Sequence, residues 1–202
     1  MASKKIKYFK TPIIGGKYKG KMIEIPAINT TRSSKSILRE SLFNTIAFDL
    51  YGANFVELFA GSGSIGLEAL SRGAKHAYFI EKNRTALRLL KDNIENIDKE
   101  SATTLFGDTF ELFEGLYKQL KSKGEPTFFY LDPPFSIREG MDDIYEKSLE
   151  LMHHMNDSFV KMVIIEHMSN REFPKSIGSL KRIKEKKFGK SRLSYYQLDE
   201  TR

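Results

Sequence analysis

The sequence predicts an α/β fold in which a doubly wound, mostly parallel seven-stranded sheet carries an antiparallel pair of strands at one edge. Three observations predict it. Apolar runs typical of buried strands alternate with amphipathic helical patterns, which favours a parallel sheet covered on both faces. The apolar run from Phe55 leads directly into a glycine loop and then a helical pattern, an arrangement typical of ligand binding at a helix N-terminus. The last two strand patterns have no helix between them, which is typical of an antiparallel pair.

The N-terminal part of the chain is predicted to be a small extension, a basic arm followed by a β-hairpin and the start of a helix. This extension covers residues 1–34, and residues 35–202 form the main domain. We expect residues 1–10 to be a flexible arm. The hairpin strands are predicted at residues 13–18 and 22–25, where short apolar runs flank a turn that contains glycine.

The first helix is predicted to begin at a serine cap, Ser33 or Ser34, and to run to about Leu50, because apolar residues recur at every fourth position. The alternation of patterns then continues to the C-terminus. The remaining elements are predicted, in chain order, as a strand from residue 55, a helix after the glycine loop, a strand at 76–80, a helix at 84–96, a strand at 102–106, a helix at 110–120, a strand at 127–131, a helix at 142–153, a strand at 161–166, and the edge pair at 180–187 and 192–198.

The composition is that of a globular protein with one main domain. The 202 residues are 40% hydrophobic and 29% charged. The absence of cysteine excludes disulfides, thiolate nucleophiles and cysteine-based zinc sites. We expect a cytoplasmic protein without a membrane segment, because no signal peptide is evident and no apolar run approaches the ~18 residues that a membrane helix needs.

The basic residues are concentrated near the two ends of the chain. The net charge is +7; seven lysines and no acidic residue lie within the first 23 residues, and eight cations surround a single acid in residues 175–192. This distribution favours a polyanionic partner, RNA or DNA, although a solvated lysine face is the alternative. The side chains expected to contact the polyanion are Lys17, Lys19, Lys21, Arg32, Lys187, Lys190 and Arg192.

The glycine loop is the first motif that carries chemistry. Gly61 and Gly63 allow a sharp strand-to-helix turn and let a ligand approach the main chain closely. With Gly66 they form the pattern G-x-G-x-x-G, and Glu81 ends the next strand about 20 residues later, where it can hold ribose hydroxyls. The loop therefore indicates a nucleotide-containing cofactor; the alternative is a plain glycine-rich turn.

The second motif, Asp132-Pro-Pro-Phe135, stands at the carboxyl end of a predicted buried strand, where open α/β sheets bind ligands. The two prolines remove backbone donors, so the Pro133 carbonyl and the Asp132 carboxylate can both accept hydrogen bonds from one exocyclic amino group. Phe135 offers a face on which an extruded base can stack. The alternative is a proline-rich loop terminator.

With both motifs in place, the chain resembles the class I S-adenosylmethionine-dependent methyltransferases, which have a Rossmann-like fold. It resembles most closely the bacterial 16S rRNA guanine-N2 methyltransferases of the RsmD type. The resemblance covers most of the chain: residues 13–21, Thr31-Arg32, residues 38–44, the cofactor loop at 57–74 and the strand at 164–167. Two positions depart from the family pattern, because Glu57 stands where Asp is usual and Ser33 where Pro is usual.

The resemblance implies a role for each matching position. The catalytic residues would be Asp132, Pro133 and Phe135, which hold the guanine amino nitrogen in line with the methyl group. Ribosomal RNA would be the partner, in a small ribosomal subunit or an assembly intermediate, and the enzyme is expected to be a monomer that needs no metal. The implied S-adenosylmethionine-binding residues are Glu57, Phe59, Ala60, Gly61, Ser62, Gly63, Glu81, Lys82, Asp108 and Asp132.

Other functions stay open at this point. The amino group could belong to another RNA or DNA base, such as adenine N6. A nicotinamide-dependent oxidoreductase would share the glycine loop and Glu81 but would not explain Asp132-Pro-Pro-Phe135, and a noncatalytic RNA-binding protein would not explain the loop. His153 and His154 are adjacent without further ligands at usable spacing, so we interpret them as surface or packing residues.

Overall fold

A computed structural model describes residues 8–26, 32–134 and 143–199, with backbone alone for residues 32–34. Ten strands and five helices lie in this part of the chain. They are β1 (Tyr8–Pro12), β2 (Met22–Pro26), α1 (Arg32–Leu50), β3 (Asn54–Glu57), α2 (Ser64–Ser71), β4 (His76–Glu81), α3 (Arg84–Ile97), β5 (Ala102–Phe106), α4 (Thr109–Lys123), β6 (Thr127–Leu131), α5 (Ile144–His153), β7 (Val160–Met168), β8 (Ser176–Ile177), β9 (Leu180–Phe188) and β10 (Ser191–Leu198).

The main sheet has the strand order β5-β4-β3-β6-β7-β10-β9-β8. The strands from β3 to β7 are parallel, and β10 runs antiparallel to both β7 and β9. The predicted α/β fold with an antiparallel pair is therefore confirmed. The two-residue strand β8 adds an eighth strand beyond this pair, and its length is too short for a periodic pattern in the sequence.

Both faces of the sheet are covered by helices. Helices α1, α2 and α3 pack on one face around Phe55 and Tyr130, while α4 and α5 pack on the other around Phe129. The buried positions of α1 include the predicted stripe at every fourth residue. Helix α1 begins at Arg32, before both serines that were predicted to cap it. The prediction of a serine cap is therefore wrong. The predicted domain boundary after residue 34 falls inside this helix.

The N-terminal hairpin forms with a different first strand from the one predicted. Strand β1 occupies Tyr8–Pro12, so residues 8–10 belong to the hairpin and not to a flexible arm. The predicted strand at 13–18 is a loop, because the Glu68 carboxylate accepts hydrogen bonds from the backbone amides of Ile14 and Gly15 at 2.8 and 2.9 Å. At Gly16 a β-carbon would lie 1.8 Å from the Ser71 carbonyl oxygen, so only glycine permits this contact. The loop is thus fastened to α2.

Within the described ranges, none of the helices combines the length and the apolar character needed to cross a membrane.

Candidate active site

The candidate site lies where the strand order reverses. The chain moves outward from β3 through β4 to β5, and then returns to the other side of β3 with β6 and β7. Open α/β sheets bind ligands at this switch point, beyond the carboxyl ends of the strands. A cavity of about 440 Å³ occupies the position, lined by the glycine loop, Glu57, Tyr130 and Asp132.

The glycine loop has the geometry that its sequence predicts. Gly61 and Gly63 have φ angles of 54° and 75°, in the left-handed region that favours glycine. A β-carbon on Gly63 would lie 2.3 Å from Leu90 Cδ1, whereas one on Gly61 would meet no atom within 4 Å. Gly63 also caps α2 without a side-chain hydrogen bond. The loop therefore packs on one side and faces open space on the other, next to a helix N-terminus.

Glu57 lies at the bottom of the cavity and is 4% exposed. Its Oε2 atom accepts a hydrogen bond from the Gly66 backbone amide at 2.8 Å. Burial raises the pKa of Glu57 to about 8, although hydrogen bonds from the Gly66 and Ile65 amides oppose the rise. The carboxyl is thus largely protonated at neutral pH, and a cation bound beside it would favour its ionised form.

Glu81 ends β4 and fastens the glycine loop. Its Oε2 atom accepts from the Gly61 amide at 2.7 Å, and its Oε1 atom accepts from the Asn83 amide at 2.7 Å. Each oxygen keeps acceptor capacity beyond these bonds. Glu81 does not line the 440 Å³ cavity itself, but lies beside the loop that does.

Asp108 and Lys82 lie next to each other at the ends of the neighbouring strands. Asp108 caps α4 by accepting from the Phe110 amide at 2.9 Å, and the Lys82 ammonium lies 3.1 Å from Asp108 Oδ2. Desolvation opposes ionisation of Asp108, but these two hydrogen bonds outweigh it and lower its pKa. Phe59 contacts Phe110 with ring centroids 5.8 Å apart. These residues extend the site along the sheet edge from the loop.

Asp132 belongs to a charged cluster that the sequence analysis did not predict. The Lys35 ammonium lies 3.3 Å from Asp132 Oδ2 and 2.8 Å from Glu166 Oε1. The Tyr130 hydroxyl donates to Glu166 Oε2 at 2.9 Å. All four side chains line the cavity. Glu166 could have been found from its position, because it follows an apolar run in the same way as Asp132; no local signal marks Lys35.

The cluster changes the acidity of its members. Desolvation and the neighbouring Glu166 raise the pKa of Asp132 to about 6, while Lys35 opposes the rise. Burial lowers the pKa of Lys35, but the two carboxylates outweigh burial and raise it above its ordinary value. Lys35 therefore stays charged. Pro133 is buried next to Asp132, and Phe135 lies outside the described residues.

The N-terminal hairpin forms a wall of the cavity. Phe9 and Thr11 of β1 line it together with Ile25 and Pro26 of β2. The buried Asn93 amide joins this wall to the glycine loop: its Nδ2 atom donates to the Glu24 and Ser62 carbonyls at 2.8 and 2.9 Å, and its Oδ1 atom accepts from the Glu24 amide at 2.9 Å. In the sequence, Asn93 is marked only as one polar residue of the helical pattern of α3.

The predicted RNA-contacting residues fall into two groups. The loop with Lys17, Lys19 and Lys21 packs against the C-terminal ends of α2 and α3, where the Lys17 amide donates to the Ser71 carbonyl and the Lys21 ammonium to the Asn96 carbonyl. These helix ends lie at the amino-terminal ends of the parallel strands, opposite the cavity. The structure therefore does not bring these lysines to the site.

The second group lies at the cavity edge of the sheet. Lys187, Lys190 and Arg192 surround the β9–β10 turn, which pairs with the carboxyl end of β7. Both lysines are exposed, whereas Arg192 is half-buried and its Nη1 atom lies 2.7 Å from Glu185 Oε2. Arg32 begins α1.

The described ranges contain no group of three or more histidine, aspartate or glutamate side chains placed to hold a metal ion. His153 and His154 are exposed at the C-terminal end of α5, and neither lines the cavity.

Comparison with known proteins places the chain among methyltransferases. The family model described as Conserved hypothetical protein 95 matches residues 11–197. A candidate rRNA methyltransferase of Bacillus subtilis, YlbH, is 26% identical over 92% of this chain and 97% of its own length. Ribosomal RNA small subunit methyltransferase D of Escherichia coli is 34% identical over 61% of this chain and 59% of its own length.

The solved structures agree with the sequence relatives. A candidate methyltransferase of Escherichia coli, yhhF, superposes with a TM-score of 0.72 and 28% identity, covering 95% of this chain and 99% of that one. The fold and the family pattern therefore lead to the same class of enzyme.

Proposed function

The chain belongs to the family described as Conserved hypothetical protein 95, the RsmD-type methyltransferases, and from that premise we propose that it methylates the exocyclic N2 amino group of a guanine in small-subunit ribosomal RNA, with S-adenosylmethionine as the methyl donor. The observation that carries the proposal is the position of Asp132, whose carboxylate lines the same cavity as the glycine loop. A cofactor bound along the loop and a base held at Asp132 would meet in this cavity.

The residues present fit S-adenosylmethionine. The cavity of about 440 Å³ is in the size range of small-molecule sites. The open space beside Gly61 gives a ligand close access to the main chain at the N-terminus of α2, where the amino acid carboxylate of the cofactor would be favoured. Glu57 would lie against the cationic methionine end, and Glu81 has acceptor capacity left for ribose hydroxyls. The cofactor supplies an electrophilic methyl group when bound.

Asp108 and Lys82 support the adenosine end of the same site. Their ion pair stands at the ends of β4 and β5, beyond Glu81 along the sheet edge. Asp108 Oδ1 accepts from the Phe110 amide, and Asp108 can accept a further hydrogen bond from the adenine amino group. Phe59 and Phe110 offer apolar surface beside it.

Asp132 and Pro133 hold the target amino group. The guanine amino nitrogen has its lone pair delocalised into the ring, and two acceptors on its hydrogens favour the pyramidal form that directs the lone pair at the methyl group. The Asp132 pKa of about 6 keeps the carboxylate mostly ionised at neutral pH, yet close enough to neutrality to accept the proton that the amino group loses. Most of the rate enhancement would come from this positioning. Phe135 would stack on the base.

The cavity-edge cations would position the RNA. Lys187, near the end of β9, and Lys190, in the β9–β10 turn, are exposed at the same end of the sheet as Asp132. Phosphate contacts at this edge would orient the duplex or loop from which the base is extruded. The partner would be ribosomal RNA in a small subunit or an assembly intermediate in the cytoplasm, met by a monomeric enzyme without a metal.

Mass spectrometry of ribosomal RNA nucleosides tests the proposal. Small-subunit RNA from cells that lack the gene should contain less N2-methylguanosine than RNA from the parent cells. Restoration of the gene should return the modification, and restoration with Asp132→Ala should not. A loss of N6-methyladenosine instead would identify adenine as the target base. Unchanged levels of both nucleosides would contradict the methylation of ribosomal RNA.

A further inference from the structure

Two carboxylates in the cavity share a single ammonium group. Asp132 Oδ2 and Glu166 Oε1 both contact the Lys35 nitrogen, at 3.3 and 2.8 Å. Because both contact the same atom, the two acceptors lie close together and are directed at one region of the cavity. The proposed reaction uses Asp132 but gives no role to Glu166 or Lys35.

The side chains of Lys35 and Glu166 differ in exposure. The long Lys35 side chain is 40% exposed, while the Glu166 side chain is only 1% exposed. The Tyr130 hydroxyl fixes the other oxygen of Glu166 at 2.9 Å, so Oε1 is the atom that faces Lys35. Lys35 can therefore withdraw toward solvent, whereas Glu166 must stay. A buried carboxylate left without its donor is costly, so a ligand that displaces Lys35 must supply a donor in its place.

Guanine has the required pair of donors. Its N1–H and its N2 amino group stand side by side on one edge of the base. Adenine also has an amino group beside N1, but its N1 carries a lone pair and no hydrogen. That lone pair would repel the lone pairs of the Glu166 oxygen. We propose that Glu166 is a specificity-determining residue that accepts the guanine N1–H while Asp132 accepts the amino group, and that Lys35 occupies both acceptors when no base is bound. This inference rests on the proposed function.

The proposed arrangement discriminates between bases, because a base without a hydrogen on N1 leaves the buried Glu166 oxygen without a hydrogen-bond donor. A site built to hydrogen-bond a substrate group rejects an analogue that lacks the group by about 10⁴–10⁵-fold. The base 2-aminopurine separates the two donors, because it keeps the N2 amino group and lacks the hydrogen on N1. An enzyme that needs Asp132 alone would accept 2-aminopurine, and one that also needs Glu166 would reject it.

The experiment uses small-subunit particles reconstituted with ribosomal RNA that carries either guanine or 2-aminopurine at the nucleotide identified by modification mapping. Wild-type enzyme should prefer guanine by at least about 10³-fold in kcat/KM. In Glu166→Gln, the Tyr130 hydroxyl favours the orientation in which the amide oxygen faces Tyr130 and the amide nitrogen faces the base. That nitrogen donates to N1 of 2-aminopurine, so the preference should fall below about tenfold. Glu125→Gln, at the opposite end of β6, is the matched control and should keep the wild-type preference.

A second variant separates a loss of base specificity from misfolding, because misfolding would lower the activity on both bases. Glu166→Asp keeps the charge beside Lys35 but withdraws the carboxylate by one methylene. It should lose at least tenfold in kcat/KM for guanine without a loss for 2-aminopurine. A wild-type preference in both Glu166 variants would overturn the inference while the enzyme still methylates guanine. If wild-type enzyme methylates no guanine at all, the proposed function itself fails.

Discussion

The Lys35 ammonium lies 2.8 Å from the Glu166 carboxylate, although 131 residues separate the two in the chain. Lys35 stands in the first turns of α1 and Glu166 near the end of β7, so this ion pair connects the N-terminal helix to the far side of the switch point. Asp132 stands between them in sequence and beside them in space. The electrostatics of the proposed reaction centre therefore depend on a helix that precedes the cofactor loop.

Lys35→Met should raise the pH at which the enzyme becomes active. Asp132 has a pKa raised to about 6, and Lys35 is the group that opposes the rise, so its removal moves this pKa higher. An opposite charge at this distance typically accounts for about 1 pH unit or more. The acid limb of a kcat/KM profile between pH 5 and 9 should shift upward by that amount.

Lys161→Met is the control for this profile, because Lys161 pairs with Asp49 on the surface at 3.2 Å. Its profile should overlay that of wild type. An unshifted profile for Lys35→Met would mean that Asp132 ionisation does not limit the rate.

Asp132→Ala should lose about 10²–10⁴-fold in the rate of methyl transfer, as expected for removal of a positioned proton acceptor. The prolines still shape the loop, so the unfolding temperature should change little, and saturating cofactor keeps any weaker cofactor binding from limiting the measured rate. Asp132→Asn should also be impaired, since its amide keeps one acceptor but loses the charge. Single-turnover methylation of small-subunit particles at saturating cofactor measures the loss. A rate within a few-fold of wild type would reduce Asp132 to a loop terminator.

Cofactor binding should release a proton from Glu57. Its pKa of about 8 in the free protein means that the carboxyl is mostly protonated at pH 7, and a cationic ligand beside it lowers the pKa. Calorimetric titration with S-adenosylmethionine at pH 7 should give heats that change with the ionisation enthalpy of the buffer. Glu57→Gln should remove this dependence and weaken binding. Identical heats for wild type in all buffers would place the cation elsewhere.

The same pKa makes Glu57 a source of pH-dependent stability. Its folded pKa lies above the unfolded value of about 4.3, so the folded state binds the extra proton and the free energy of unfolding falls as pH rises between these values. Glu57→Gln should flatten this part of the stability profile in urea titrations between pH 5 and 9.

The two groups of lysines should differ in their effect on RNA. Lys187→Glu with Lys190→Glu changes the cavity edge and should weaken RNA binding, with the salt dependence reduced by roughly 0.7–0.9 log units per lost phosphate contact. Lys17→Glu with Lys19→Glu is the matched comparison, because it makes the same change of charge at the end of the sheet opposite the cavity. Filter binding across a salt series compares them, with cofactor affinity unchanged in both. Equal losses would show that the RNA reaches both edges, as the sequence analysis expected.

The sequence predicts those parts of the molecule that depend on neighbouring residues. The glycine loop and the strand that ends just before Asp132 are local patterns, and the structure forms both as predicted. The strand at residues 13–18 was wrong because Glu68, 53 or more residues away, takes the amides that a strand partner would use. The excess of basic residues indicated a polyanionic partner but did not show at which end of the sheet each residue lies. It therefore could not separate Lys17 from Lys187. The partnership of Lys35 with Glu166 depends only on the tertiary fold.

The contacts that hold the hairpin against α2 and α3 can form only after those helices have been synthesised. Strands β1 and β2 are made first, yet Glu68 and Asn93, which hold them in place, follow 53 to 69 residues later. The loops that these contacts close are long, and contacts between distant residues form slowly. A nascent chain that ends before α3 therefore has the glycine loop but lacks the amide that joins the hairpin to it, so this wall of the cavity should form only after residue 93 has been added.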